Sequence, residues 1–328
     1  MHPEGGRRTR ELGRALLADP DLPGPEAEAV RAALGRASAL ADDLGRSGWH
    51  FLAAGEAGFP ERLAAVADPP LGVLLRGRIP EGHTVALVGA RRATAYGREV
   101  AEYLGCGLAR AGVTVVSGMA RGVDAAAHRG ALAGGGTTLA VWGSGPDRPY
   151  PPEHRALADE IAARGCLLTE YPPGCPPLPH HFPERNRIIA GLAEAVVVVE
   201  ADERSGALIT ARLALEEGRE VMAVPGSVFS RLSAGPNGLL RAGAAPVLTA
   251  DDVLAALGLP PQAKGRGDEP PLLALIPPGE AATVDRLAAT SRQPIAQVLE
   301  ELLALELDGR VVRQADGSYR RTHRAPST

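Results

Sequence analysis

Residues 85–128 read VALVGARRATAYGREVAEYLGCGLARAGVTVVSGMARGVDAAAH, and this stretch decides the fold. One apolar run, residues 85–88, stops at Gly89-Ala90-Arg91; a second, residues 113–116, stops at Ser117-Gly118, with Arg121 and Gly122 just beyond. Between them Val100, Leu104 and Leu108 recur every four residues, the spacing of one helix face. The pattern predicts strand, glycine turn, helix, strand and a second glycine turn. Parallel strands joined in this way put both turns on the carboxyl edge of one sheet, where such sheets bind ligands. Backbone N–H groups at a helix start favour an anion, and an arginine in each turn strengthens that preference. The stretch reads as a phosphate cradle.

The same alternation continues on the C-terminal side. Apolar runs at residues 138–142, 167–170, 196–200, 221–224 and 246–249 alternate with helical patterns as far as residue 257. This predicts βαβ units and an α/β fold with a Rossmann-like, mainly parallel sheet over residues 51–258. Several runs are continuously apolar, as strands covered on both faces require. Upstream, Pro60, Pro69, Pro70 and Pro80 bar a long helix, so residues 49–80 read as an extended connector ending in a short strand. Residues 1–50 hold amphipathic pieces broken by Pro20, Pro23 and Pro25, the pattern of a small helical domain.

Residues 259–270 form a polar linker containing proline and glycine. After it, residues 271–322 predict three helices and a hairpin, the order of a winged helix, with Pro294 at a helix start and Ala315-Asp316-Gly317 as the hairpin turn. The third helix carries Glu300, Glu301 and Glu306 and no basic residue, a poor complement to a DNA major groove.

A chain of 328 residues exceeds the usual single-domain size. Its formal net charge of -4 speaks against a uniformly basic nucleic-acid coat and leaves room for a local basic patch. Lys264 is the only lysine, so positive charge is almost entirely arginine. Cys106, Cys166 and Cys175 lie far from any CxxC spacing, which argues against a disulfide framework and a zinc site. No metal or cofactor is expected. The first residues lack an apolar signal region, and no run nears the roughly 18 to 20 apolar residues of a membrane span. The expected location is the cytoplasm, with no membrane partner.

The first turn is not GxGxxG, and Ser117 stands where a dinucleotide site needs an acidic residue after the second strand. No Walker sequence occurs. Asp124 and His128, four residues apart, share a helix face; a helix cap with a packed histidine is preferred there to an acid/base pair. In Phe182-Pro183-Glu184-Arg185-Asn186-Arg187 the two arginines cannot share one face, so at least one is expected to point away from the core. Backbone-phosphate contact competes there with a surface salt bridge. Ser205-Gly206 opens another helix, suited to a phosphate oxygen or to simple capping. Glycine loops at residues 224–227 and 233–238 extend the groove beyond what one mononucleotide needs.

The stretches VALVGARRAT, VVSGMARGVDAAAHRGAL, LAVWGSGPDRPYPPEH, LTEYPPG, FPERNRIIAGL, VVVVEADERSGALITARLALEEGREVMAVPG and GPNGLLRAGA resemble, in consistent order, the DNA-processing protein A (DprA/Smf) family. They cover roughly residues 59–250. The resemblance implies an extended Rossmann-like domain that binds single-stranded DNA, forms a homodimer and loads RecA onto incoming DNA in natural transformation, without an enzymatic step. It also implies a sterile-alpha-motif-like N-terminal domain and a C-terminal winged helix. Carried across residue by residue, phosphate contacts fall on Gly89, Arg91 and Thr94, on Ser117, Gly118 and Arg121, on Arg185, Asn186 and Arg187, and on Ser205, Gly206 and Thr210. With aromatic content of 3%, stacking is expected to be a minor contribution, Tyr96 and Phe182 being the nearest candidates. The rival reading is a Rossmann-like nucleotide phosphoribohydrolase-type enzyme, since one fold hosts many functions. Such enzymes carry a PGGxGTxxE-like stretch, which this chain lacks at Val224-Pro225-Gly226-Ser227-Val228. A regulator that binds DNA through the winged helix is a third reading.

Overall fold

A computed structural model of the chain describes residues 45–261, 270–277 and 280–322, with a few single positions between residues 24 and 32. Most of the expected helical domain at residues 1–50 and most of the linker at 259–270 lie outside the described residues. The chain divides into two compact units at Leu259 and Pro260.

The first unit is built on nine strands: β1 (Trp49–Ala53), β2 (Gly72–Gly77), β3 (Thr84–Val88), β4 (Thr114–Ser117), β5 (Thr138–Trp142), β6 (Cys166–Thr169), β7 (Ala195–Val198), β8 (Glu220–Ala223) and β9 (Ala245–Pro246). Their order in the sheet is β1-β2-β6-β5-β4-β3-β7-β8-β9. All neighbours from β6 to β9 are parallel, while β1 and β2 add an antiparallel margin. This margin is the extension that makes the fold an extended Rossmann-like one. The sequence reading missed β1, because the prolines of residues 60–70 suggested one long connector. They all fall between β1 and β2, where they interrupt no ladder. β1 holds its place partly through Trp49, whose ring lies 5.5 Å from that of Trp142.

The helices are α1 (Glu61–Ala64), α2 (Ala95–Arg110), α3 (Val123–Ala133), α4 (Arg155–Arg164), α5 (His181–Leu192), α6 (Gly206–Glu216), α7 (Ala234–Arg241) and α8 (Ala250–Ala256). Period-two alternation sorts them onto two faces. Val85 and Leu87 of β3 share a core with Leu104 and Leu108 of α2 and with Ala126, Ala127 and Ala131 of α3. Ala86 and Val88 share the opposite core with Ile188 and Ile189 of α5 and Ala207, Ala211 and Ala214 of α6. Both faces are covered by helices, which is why the strands read as unbroken apolar runs.

Strand order reverses at β3, which pairs with β4 on one side and β7 on the other. The chain after β3 winds outward through β4, β5 and β6; α5 then leads back to β7. The loops after β3 and β7 therefore part company at the carboxyl edge, leaving the crevice in which open α/β sheets bind ligands.

The second unit holds α9 (Pro271–Ala274), α10 (Val284–Ser291) and α11 (Ile295–Leu307) with a three-stranded sheet of β10 (Ala281–Ala282), β12 (Tyr319–Arg321) and β11 (Val311–Arg313). Leu272, Ile276, Leu287, Val298, Leu302 and Tyr319 form its core. Gly317, at φ 82°, makes the expected hairpin turn. Three helices followed by a paired hairpin are the winged-helix order, with β10 as a third strand that was too short to read in sequence. Among the described residues no helix is long and apolar enough to cross a membrane.

Candidate nucleic-acid interface

The site is built at the strand-order reversal. β3 ends at Val88, and Gly89 passes so close to its neighbours that an added Cβ would sit 2.6 Å from Val123 Cγ2 and 2.8 Å from Glu200 O. Ala90 N–H donates to that same Glu200 carbonyl at 2.6 Å, fixing the first turn to the end of β7. Thr94 then caps α2: its hydroxyl accepts from Gly97 N–H at 3.1 Å and donates to Glu200 Oε1 at 2.5 Å, while Thr94 N–H donates to Oε2 at 2.9 Å. Glu200 is thus the anion at the start of α2, and Thr94 serves the fold there. Only Arg91 and Arg92 of this turn project as exposed cations.

In the second turn Ser117 is fully buried, and its hydroxyl donates to Leu87 O at 2.6 Å. Gly118 supplies space instead of contact, since an added Cβ there would meet Arg185 Nη2 and Asp124 Oδ2 at 2.5 Å. Asp124 accepts from Ala120 N–H at 3.2 Å. Burial pushes its carboxyl up to about 6, against the opposing pull of Arg185. His128 joins Thr138 Oγ1 and Gly118 O, each at 2.6 Å, and burial pushes its imidazole down to about 4. The histidine is packed, as the preferred sequence reading has it, but Asp124 does not cap the helix: Gly122 holds the cap position, and the Asp124 carboxyl sits inside the first turn of α3 and holds the preceding loop through Ala120 N–H. Arg121 is exposed and ion-paired with Glu153.

On α5 the two arginines separate in role. Arg185 is only 4% exposed; it donates to Val141 O and lies beside Asp124, with Nε left without a partner. Burial pushes its guanidinium down to about 10. Asn186 donates Nδ2–H to Gly206 O at 3.2 Å. Arg187 lies between Glu170 and Asp68, its Nε 3.3 Å from Asp68 Oδ2, and lines neither half of the cleft described below. The expectation that at least one arginine would point away from the core is not met. Both are largely buried, because a carbonyl receives Arg185 and two carboxylates receive Arg187.

Ser205 caps α6, its hydroxyl accepting from Ala207 N–H at 3.2 Å, and Thr210 donates to Gly206 O at 3.4 Å. Gly206 itself is open: nothing lies within 4 Å of where a Cβ would be.

These groups line a cleft in two adjoining halves. One, of about 250 Å³, is walled by Arg91, Arg92, Arg121, Trp142, Tyr150 and Phe182. The other, of about 200 Å³, is walled by Gly89, Asp124, Asn186, Ser205, Gly206 and Thr210. Arg91, Phe182 and Arg185 belong to both. The Arg91 guanidinium carbon stands 4.6 Å over the Phe182 ring, and Tyr150 lies 5.6 Å on from Phe182. A cation held on an aromatic face beside a second ring offers charge to a phosphate and a flat surface to a base. Sequence reasoning named Phe182 but missed Trp142, the last residue of β5, and Tyr150 in the loop after it. The usable signal was that every loop leaving a parallel strand at its carboxyl end shares one edge.

The family model described as DNA recombination-mediator protein A matches residues 50–258, and the DprA winged helix domain model matches residues 260–317. The chain is 48% identical over 249 residues to the putative DNA processing protein DprA of Mycobacterium tuberculosis (strain H37Rv), covering 72% of this chain and 63% of that one. It therefore spans less than two thirds of that relative's length. Protein Smf of Escherichia coli K12 is 38% identical over 294 residues, covering 84% of this chain and 78% of its own. Among solved structures, DprA from Streptococcus pneumoniae is similar with TM-score 0.61 and 40% identity, covering 65% of this chain and 77% of that one. DNA processing protein A from Helicobacter pylori, described for its single-stranded DNA binding mode, is similar with TM-score 0.57 and 29% identity, covering 64% of this chain and 95% of that one. The two family models, the curated relatives and the similar solved structures thus agree, and the chain belongs to the DNA recombination-mediator protein A family.

Proposed function

We propose that this protein is a recombination mediator that binds single-stranded DNA in the cleft at the carboxyl edge of its sheet, acts as a homodimer in the cytoplasm, and loads RecA onto the bound strand without a catalytic step of its own. The observation that carries the reading is Arg91 seated over Phe182, with Tyr150 and Arg185 beside them. A half-cleft of about 250 Å³ admits one unpaired base, whereas paired and stacked bases of a duplex cannot present a ring to Phe182. The H. pylori relative's single-stranded DNA binding mode supports the same choice of ligand.

Of the residues expected to touch phosphate, Gly89, Arg91, Asn186, Ser205, Gly206 and Thr210 line the cleft, with Arg185 at its floor and Arg121 at its wall. Gly118, Thr94 and Ser117 act through shape and hydrogen bonds that hold the turns, as Gly89 and Thr210 also do from within the cleft wall. Titration with single- and double-stranded oligonucleotides at two salt concentrations, with and without purified RecA, tests the reading. Preferential single-strand binding that weakens steeply with salt, and faster RecA filament growth, are expected. Equal affinity for duplex and single strand, or no effect on RecA, overturns it.

One observation favours the enzymatic alternative: Asp124, a buried carboxyl that holds its proton to about 6, lies at a nucleotide-sized cleft. Hydrolysis of a nucleoside monophosphate that Asp124→Asn abolishes is the result that would establish it. Its bonds to Ala120 and its place beside Arg185 account for Asp124 structurally, so the mediator reading stands first.

A further inference from the structure

The loop between β8 and α7 displays two adjacent apolar side chains almost wholly to solvent: Val228 is 83% exposed and Phe229 97%. The loop itself is firmly held. Gly226 N–H donates to Asn237 Oδ1 at 3.2 Å, and Asn237 Nδ2–H returns to Gly226 O at 3.0 Å. Ser230 N–H donates to Ser227 O at 3.0 Å, and Phe229 N–H to Ser227 Oγ at 3.3 Å. A fixed loop that exposes its largest ring loses little entropy on meeting a ligand.

The loop is also tied to the cleft. Ala201 N–H donates to Leu232 O at 2.7 Å, Gly235 N–H donates to Ala201 O at 2.9 Å, and Arg231 bridges to Asp202 at 2.5 Å. These links join it to the loop after β7, which carries the cleft residues Ser205 and Gly206. From the other side the half-exposed Tyr96, in the first turn of α2, donates its hydroxyl to Pro225 O at 3.3 Å. β8 lies two strands from β3, so its loop leaves the same edge roughly 10 Å from the Arg91 turn.

We propose that Phe229, with Val228 beside it, is a second base platform, onto which a single strand seated at Phe182 continues along the sheet edge. The proposal rests on the single-strand reading above. One ring and one small side chain are far too little surface for a stable protein partner, which needs about 800 Å² on each side, but one ring is what one base covers. Arg231 at the end of the same loop, bridged through Nη2 to Asp202 with its side chain 84% exposed, keeps further N–H donors for the accompanying phosphate.

The test is titration of the full chain with thymidine oligonucleotides of increasing length, comparing wild type, Phe229→Ala and Phe229→Trp. For oligonucleotides long enough to reach from cleft to loop, Phe229→Ala should bind about ten-fold more weakly, the worth of one stacked base, while the shortest bind as to wild type. Phe229→Trp should restore affinity and show a DNA-dependent quench of indole fluorescence beyond any from Trp49 and Trp142 in wild type. Unchanged affinity of Phe229→Ala at every length, with no added quench in Phe229→Trp, overturns the platform while leaving the cleft reading intact. A lower DNA-free sedimentation mass for Phe229→Ala assigns the ring to a contact between copies and also overturns it. A wild type that binds no oligonucleotide overturns both this proposal and the function it rests on.

Discussion

Arg91 and Arg187 carry the same charge in two motifs of the same edge, yet their surroundings give them different tasks. Arg91 is exposed over Phe182, whereas Arg187, its side chain 12% exposed, is held between Glu170 and Asp68. Arg91→Ala should weaken single-strand binding alike for all sequences and reduce the salt slope by about 0.7, the share of one phosphate contact. Arg187→Ala should cost about 3 kcal/mol of stability by stranding two carboxylates, seen as a lower Tm, with affinity little changed once the protein is folded. Asp124 and His128 make a pH-dependent pair of opposite sign. The folded Asp124 carboxyl keeps its proton to about 6, so its contribution to stability is lost as pH rises from about 4 through 6. The His128 imidazole is held neutral down to about 4, so its contribution is present above about 6.5 and lost as pH falls toward 4. The two slopes oppose each other in wild type. Thermal melts of Asp124→Asn should therefore rise more steeply between pH 4 and 6.5 than those of the parent chain.

At the scale of elements, the cleft depends on how closely α2 and α3 approach beneath its turns. A Cβ at Gly105 of α2 would sit 2.5 Å from Ala127 O of α3, a backbone atom that cannot move aside alone. Gly105→Ala should destabilise the protein by about 1 to 3 kcal/mol despite the better helix propensity of alanine, and denaturant unfolding would show it. A gain in stability would mean the two helices can separate freely. α11 shows a different logic. Val298, Leu302 and Leu305 face its own core, while Ile295, Leu299, Leu303 and Leu307 are exposed at four-residue spacing. An apolar stripe with Glu300 and no cation along it is not a groove-reading surface, in agreement with the charge pattern read from the sequence.

For the whole molecule, charge distribution matters more than the net -4, since four arginines converge on one cleft. All of them lie in the first compact unit, so removing residues 265–328 should leave single-strand affinity within about two-fold of the full chain, a difference of at most about 0.4 kcal/mol. A large loss would move the main DNA contact to the winged helix. The sequence by itself determined the α/β class, the parallel run from β3 to β8, the winged-helix order and the two arginine turns, because strand and helix periodicities and glycine punctuation are local. It also pointed to Arg91, Phe182 and Ser205. Only the tertiary structure decided that Glu200 takes up the start of α2, that Ser117 is turned to Leu87, that Arg187 is enclosed by Glu170 and Asp68, and that Tyr150 and Trp142 close the cleft. Each of these rests on partners from 17 to more than a hundred positions away. A residue's spacing fixes which way it faces along its own element, but whether a carboxylate, a carbonyl or open solvent meets it there is set by which strands become neighbours.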